Sequence, residues 1–299
     1  MESHLTEFQT IVGDWLRVEP TEVQMVTDGV NKNLRATVDS QDVFLRFSPS
    51  SLHSRSELEA EAAALKKLHS MGLPCCEILD VGGRQTLGPV EVNEVEYNAL
   101  INRAIDGSSL APVPRDAKAF GRSLGQLHQV SADLPIAGNG SGRTKRVDPV
   151  LEAVFNDLTE LASTFDVNPE AEIGICHGDA WLGNAIMREG TAVLFDFEFM
   201  KVGALAYDIA TFIWALRAES SEEEDRIFGS FVEGYRAECN KEFSEGELKN
   251  GLLRKEINNI VFLCENVTMS REVKVATARF ARDTIGFVLS DEFSRFRWD

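Results

Sequence analysis

The chain has 299 residues, 43% of them apolar and 8% aromatic, and a formal net charge of -18. That length and apolar content suffice for a large core, arranged as two domains or one bilobal unit. The acidic balance argues against a nucleic-acid binder, which needs a basic face for phosphates, and no apolar run approaches the roughly 20 residues that cross a bilayer, so no membrane association is expected.

The opening MESHLTEFQT carries neither the basic nor the apolar region of a secretory signal, which points to the cytoplasm. Cys75, Cys76, Cys176, Cys239 and Cys264 show no CxxC spacing, so free thiols are expected and not a disulfide framework or structural zinc. Cys176 lies in the apolar run Ile173-Gly174-Ile175 and reads as a packed residue. The acidic run from Glu219 to Asp225 suits a helix start. The acidic balance also tilts any small-molecule partner toward a cationic one.

In chain order, Val23–Thr27, Leu34–Val38 and Val43–Phe47 read as short strands split by turns such as Asp28-Gly29 and Asp39-Ser40. A helix is expected from Arg55 to Ser70, with Leu58, Ala62, Leu65 and Leu68 on one face and Gly72 and Pro74 beyond its end. Strand signal returns at Cys76–Val81, Val90–Val95 and Tyr97–Ile101. After Asp106-Gly107 the pattern turns helical, over Ala117–Val130, Pro149–Phe165, Ala206–Ala218, Ser221–Cys239, Ser244–Val267 and Val273–Ser290. Two stretches, around Ile186 and over Ala192–Phe197, interrupt as strands. Gly138 to Arg146 reads as an exposed loop.

The densest signal is His177-Gly-Asp-Ala-Trp-Leu-Gly-Asn184, followed by Leu194-Phe-Asp-Phe-Glu198. Phosphoryl transfer needs a carboxylate to orient the attacking hydroxyl and oxygen ligands to hold Mg²⁺ against nucleotide phosphates. Asp179 and Asn184 on a loop, then Asp196 at a strand end, present base, metal-binding amide and metal-binding carboxylate in that order. Singly, HGD could be a turn and DFE a strand end; their joint occurrence points to catalysis.

At these residues the chain resembles the aminoglycoside phosphotransferase and choline kinase superfamily, relatives of protein kinases. The superfamily's HxDxxxxN loop matches His177, Asp179 and Asn184, and its hydrophobic-D-x-E/D strand matches Leu194 to Glu198. The resemblance implies an α+β, bilobal, protein-kinase-like fold. Residues 1–101 would form a β-rich, nucleotide-binding N-lobe, and residues 102–299 a mainly helical C-lobe with the catalytic loop and acceptor site. It implies ATP and Mg²⁺, with Asp179 as catalytic base, Asn184 and Asp196 as magnesium ligands and His177 shaping the loop. Asp208, in Gly203-Ala-Leu-Ala-Tyr-Asp208-Ile-Ala, matches a later aspartate that buttresses that loop; a helix N-cap role would be compatible.

The N-lobe match is looser. Asp28 to Leu34 resembles the superfamily's nucleotide loop, with Gly29 followed by either Asn31 or Asn33 as its asparagine. Read alone, the segment is a hairpin turn. Arg46 stands where a phosphate-clamping cation is expected, with Glu61 as its helix partner and Glu59 as the alternative. Adenine would dock on backbone groups near Ile101 and Arg103. His128 reads as a packing or capping residue. Trp181 and Glu198 are candidates for the acceptor site, whereas Trp214 reads as core.

The expected activity is ATP- and Mg²⁺-dependent phosphorylation of a hydroxyl on a small molecule: an amino sugar, an aminoglycoside, a choline-like amino alcohol or homoserine. An atypical Ser/Thr protein kinase is the alternative, but Asp196 to Asp208 leaves little room for a long activation segment. An inactive nucleotide-binding module would not need a base, two metal ligands and a phosphate-clamping cation together.

Overall fold

The computed structural model describes residues 2–38, 40–80, 85–131, 134, 136, 146–165, 171–219 and 223–298. The chain divides into two compact units, Met1–Asp106 with Asp133–Ala137, and Gly107–Ala132 with Gly138–Asp299.

The first unit runs α1 (Glu2–Leu16), β1 (Thr21–Asp28), β2 (Lys32–Val38), β3 (Gln41–Pro49), α2 (Arg55–Ser70), β4 (Thr86–Val92) and β5 (Val95–Arg103). Its strands form one antiparallel sheet in the order β1-β2-β3-β5-β4. In β3, Val43, Leu45 and Phe47 alternate onto one face. There they share a core with Phe8, Val12 and Leu16 of α1. The Phe8 ring stands 4.8 Å from that of Phe47 and 5.7 Å from that of Tyr97. Each such buried leucine or phenylalanine contributes roughly 1.5–3 kcal/mol. The expectation of a single helix in this region, Arg55–Ser70, overlooked α1, although Phe8, Val12 and Leu16 recur at helical spacing.

Arg46 falls on the opposite pleat of β3, and it is this face that meets α2. A capping box starts α2: the Ser54 side chain accepts the Glu57 N–H at 3.3 Å, and Glu57 accepts the Ser54 N–H at 2.7 Å. Leu58, Ala62, Leu65 and Leu68 are its buried stripe, as expected. Two strand expectations need correction. Residues 76–80 form no strand; Ile78 makes an isolated bridge to Asn102, and Val81 lies outside the described residues. Val90 to Val95 divides between β4 and β5, because Asn93 and Glu94 take the positive φ angles of a hairpin turn, 51° and 64°.

The second unit runs β6 (Ser108–Ser109), α3 (Pro114–His128), α4 (Glu152–Thr164), β7 (Ile173–Cys176), β8 (Ala185–Arg188), β9 (Thr191–Leu194), β10 (Lys201–Ala204), α5 (Ala206–Ala218), α6 (Glu224–Arg236), α7 (Glu245–Asn266) and α8 (Arg271–Leu289). β6, β8 and β9 form one small antiparallel sheet, and β7 pairs with β10. Sequence reading missed β6, β7 and β10, which are too short to show a period of two. It also ran β9 too far: the strand stops at Leu194, and Phe195 to Phe197 leave the ladder.

Helix α5 is buried almost all round, through Ile209, Ala210, Phe212, Ile213 and Leu216. It packs on α7, and α3 packs on α6. Of the expected 138–146 loop, residues 138–145 lie outside the described residues, as do 220–222 of the acidic run and the turn residue Asp39. Among the described residues no helix is long and apolar enough to cross a membrane. None of the five cysteines forms a disulfide.

Candidate active site

Strand β7 ends at Cys176 and delivers the chain into His177-Gly178-Asp179. Gly178 has φ +88°, and a Cβ there would lie 2.0 Å from the Phe199 carbonyl oxygen, so the loop can pass this close only as glycine. Asp208, in the first turn of α5, receives the loop from the other side. It accepts the His177 N–H at 2.6 Å and the Gly178 N–H at 2.9 Å. The N-cap of α5 is Leu205, so Asp208 serves the loop that starts at His177 and not its own helix end.

His128 approaches Asp208 through Nε2 at 3.1 Å, and its Nδ1 lies 2.9 Å from the Tyr235 hydroxyl. Sequence reading saw no partner for His128; its partners come from α5 and α6. Burial would raise the Asp208 carboxyl, but the His128 hydrogen bond and charge and the Gly178 N–H hold it below its ordinary value.

The His177 ring is fully buried, and that burial holds its pKa down and keeps the imidazole neutral. Its Nε2–H donates to the Phe195 carbonyl at 3.0 Å, and its Nδ1 accepts the Asp179 N–H at 3.4 Å. His177 therefore spans the loop and the end of β9. Cys176 beside it is fully buried, and burial pushes its thiol well up, as suits a packing residue.

Asp179 is held from two directions. Asn184 Nδ2 donates to its carbonyl oxygen at 2.8 Å and to its Oδ2 at 2.9 Å. Lys255 Nζ, from α7, meets its Oδ1 at 2.5 Å. Burial works against the Lys255 charge, but Asp179, with Tyr207 and Asp208, holds the ammonium above its ordinary range. No local signal marked Lys255 in the sequence, because its relation to Asp179 exists only through helix packing.

Asn184 ends a 3-10 turn, Leu182–Asn184, and its carbonyl accepts the Phe195 N–H at 3.0 Å. That bond ties the loop to the residue before Asp196. Asp196 has φ 62° and leaves the β9 ladder. With Nδ2 committed to Asp179, the side-chain Oδ1 of Asn184 is its atom with ligand chemistry, and Asp196 adds a carboxylate. Two oxygen donors suit an ion such as Mg²⁺, which takes most of its octahedral shell from phosphates and water. Among the described residues there is no group of three or more His, Cys, Asp or Glu that could hold a metal ion.

The remaining candidates are dispersed. The Trp181 ring lies over Gly183, where a Cβ would come 2.3 Å from it. Glu198 is half-buried, two positions beyond Asp196. Trp214 is partly buried; its Nε1 donates to Glu256 at 2.6 Å, and its ring meets Phe280 edge-on at 5.5 Å.

In the first unit, Arg46 Nη2 and Glu61 Oε2 are 2.5 Å apart and both buried, whereas Glu59 pairs with Arg55 at 2.8 Å. Gly29 and Asn31 occupy the turn between β1 and β2. Asn33 lies on β2 opposite Arg46, and its Nδ2 donates to Thr27 Oγ1 at 2.8 Å. The backbone groups expected to meet adenine are engaged within the unit. Ile101 accepts the Leu79 N–H at 3.1 Å and donates to Gln85, while Arg103 donates to the Glu77 carbonyl at 2.8 Å. They hold Glu77, Leu79 and Gln85 against β5.

Residues 24–239 match the model of a family described as the phosphotransferase enzyme family. A homoserine kinase of Parvibaculum lavamentivorans is 24% identical over 66% of this chain and 65% of its own. The chain thus spans about two thirds of that curated relative's length. Among solved structures, amicoumacin kinase hAmiN in complex with AMP-PNP, Ca²⁺ and Ami aligns with a TM-score of 0.75 at 15% identity, covering 99% of this chain and 98% of that one. A microcompartment-associated aminopropanol kinase aligns at 0.71 and 18% identity, covering 97% and 99%. These similarities establish a kinase-like fold.

Proposed function

Because the chain belongs to the phosphotransferase enzyme family, we propose that it transfers the γ-phosphoryl group of ATP to a hydroxyl of a small molecule with Mg²⁺. The observation that carries this reading is Asp179, held by Asn184 at 2.9 Å on a loop that Asp208 anchors at 2.6 Å. The acceptor oxygen forms its bond to phosphorus as the bond to the ADP oxygen breaks. The hydroxyl proton passes to Asp179, which orients that oxygen before transfer. Asn184 and Asp196 hold Mg²⁺, which when bound neutralises phosphate charge. His177 and Asp208 keep the loop in shape.

In this reading the first unit binds nucleotide and the second carries catalysis and the acceptor. Arg46, fixed by Glu61, supplies the phosphate-clamping cation, and the turn at Gly29 and Asn31 faces the phosphates, with Asn33 supporting it. Trp181 and Glu198 flank the acceptor. Its class is an amino sugar, aminoglycoside, choline-like amino alcohol or homoserine, and the net charge of -18 favours a cationic one. Five cysteines without a disulfide suit the reducing cytoplasm. Against a protein kinase stands the short path from Asp196 through β10 to α5, which holds no long activation segment.

The test is ADP formation from MgATP across amino alcohols, amino sugars, aminoglycosides, homoserine and protein extracts. Turnover with a small-molecule hydroxyl is the expected result. Consumption with protein acceptors alone would sink the reading.

A further inference from the structure

We propose that Lys255 is a positioning residue for Asp179, fixing the carboxylate that receives the acceptor hydroxyl; this rests on the reading of Asp179 as the base. The two residues lie 76 positions apart in sequence, yet Lys255 Nζ and Asp179 Oδ1 are 2.5 Å apart. The Lys255 side chain is 14% exposed and that of Asp179 24%. An ammonium withdrawn this far from water persists only where a paired charge compensates it. In this fold the compensating group is the motif aspartate.

The surroundings of Lys255 are built to hold it in place. Helix α7 begins with a capping box, in which the Ser244 side chain accepts the Glu247 N–H at 3.2 Å and Glu247 accepts the Ser244 N–H at 2.8 Å. The Trp214 ring centroid lies 5.2 Å from Nζ, within the range of a cation–π contact. That ring is itself fixed by Glu256, the next residue of α7, at 2.6 Å. One turn further on, Asn258 Nδ2 holds the Tyr207 hydroxyl at 3.1 Å. A flexible lysine is thereby confined to one arrangement before any ligand arrives.

Asp179 then has one donor on each oxygen, Asn184 on Oδ2 and Lys255 on Oδ1. A carboxylate oxygen accepts two hydrogen bonds, so each retains capacity for the acceptor hydroxyl. Two fixed donors on opposite sides define the plane and rotation of the carboxylate. Small misplacements of a reacting group cost rate steeply, so this restraint acts on turnover more than on nucleotide binding.

The experiment is a double-mutant cycle on the full chain with Lys255→Met, Asp179→Asn and both together. ADP release from MgATP is read with the mixed acceptor panel of amino alcohols, amino sugars, aminoglycosides and homoserine. Lys255→Met is expected to lower kcat on the order of 10²-fold while the KM for MgATP stays within about twofold. In the Asp179→Asn background the same substitution should cost less than about threefold, because the group it positions is gone. Lys255→Arg keeps the charge and should recover part of the loss; it also carries the test if the Met variant fails to fold. A folded Lys255→Met variant with wild-type kcat, or equal losses in both backgrounds, would overturn the proposal. Asp179→Asn at the wild-type rate would instead remove the base reading on which it rests.

Discussion

Asp208 accepts the His177 N–H at 2.6 Å, joining the first turn of α5 to the entry of the His177–Asn184 loop. With the Gly178 N–H on its other oxygen and His128 beside it, one fully buried carboxylate organises two backbone amides and an imidazole.

Replacing Asp208 with Asn removes the charge and gives a donor where two N–H groups need acceptors. The expected cost is about 1–3 kcal/mol for each group left unsatisfied. The folded Asp208 pKa lies below its ordinary 3.8. The unfolded chain therefore binds the proton first as pH falls, and the stabilisation is complete above about pH 4 and lost as pH drops through the folded value. Urea unfolding of wild type and Asp208→Asn from pH 2.5 to 6 should show a gap that narrows toward acid. A constant gap would contradict this.

Asp179→Asn should lower turnover on the order of 10²- to 10⁴-fold with MgATP affinity nearly intact. Asp196→Ala should abolish magnesium-dependent nucleotide binding. Calorimetric titration of both variants separates the two roles, and unchanged MgATP affinity in Asp196→Ala would remove the ligand assignment.

Glu61→Ala removes one partner of a buried ion pair, a loss that costs up to about 3–5 kcal/mol. Unmooring Arg46 should also raise the KM for MgATP by roughly tenfold or more, the scale of one charged hydrogen bond. Denaturant melts and initial-rate kinetics test the two effects. Glu59→Ala, whose carboxylate pairs with the exposed Arg55, should change neither by much.

Glu256 is fully buried, and burial lifts its carboxyl to about 7 from the ordinary 4.5, although Trp214 and Lys255 oppose the shift. The folded state then holds the proton that the unfolded chain releases, so stability falls as pH rises from about 4.5 to 7. At 1.36 kcal/mol per unit the loss approaches about 3 kcal/mol. Glu256→Gln can still accept from Trp214 and has no proton to lose. Its melting temperature should exceed wild type more at pH 8 than at pH 5; equal shifts at both values would contradict the account.

Much of the frame was legible from local chemistry. The stripe from Leu58 to Leu68, with Gly72 and Pro74 beyond it, marks α2, and α5 spans Ala206–Ala218 as its apolar run suggests. Strands β7 and β10 escaped, since they hold each other across a gap no local pattern records. Helix α1 escaped for a different reason. Its spacing was visible, but a strand-rich expectation for the region hid it.

The site divides in the same way. Asp179, Asn184 and Asp196 could be named because their spacing is constrained within one loop and the strand after it, where covalent connection keeps them together. Helix packing alone chose the Lys255 partner of Asp179 and the His128 partner of Asp208, whereas the resemblance had already named Glu61 as the partner of Arg46. Residues far apart in sequence become neighbours only when buried surface holds their elements in register, and a buried charge then selects whichever opposite group that packing brings within hydrogen-bond reach. The linear pattern thus determined which chemistry the chain can perform, and the tertiary structure decided which side chains hold that chemistry in place.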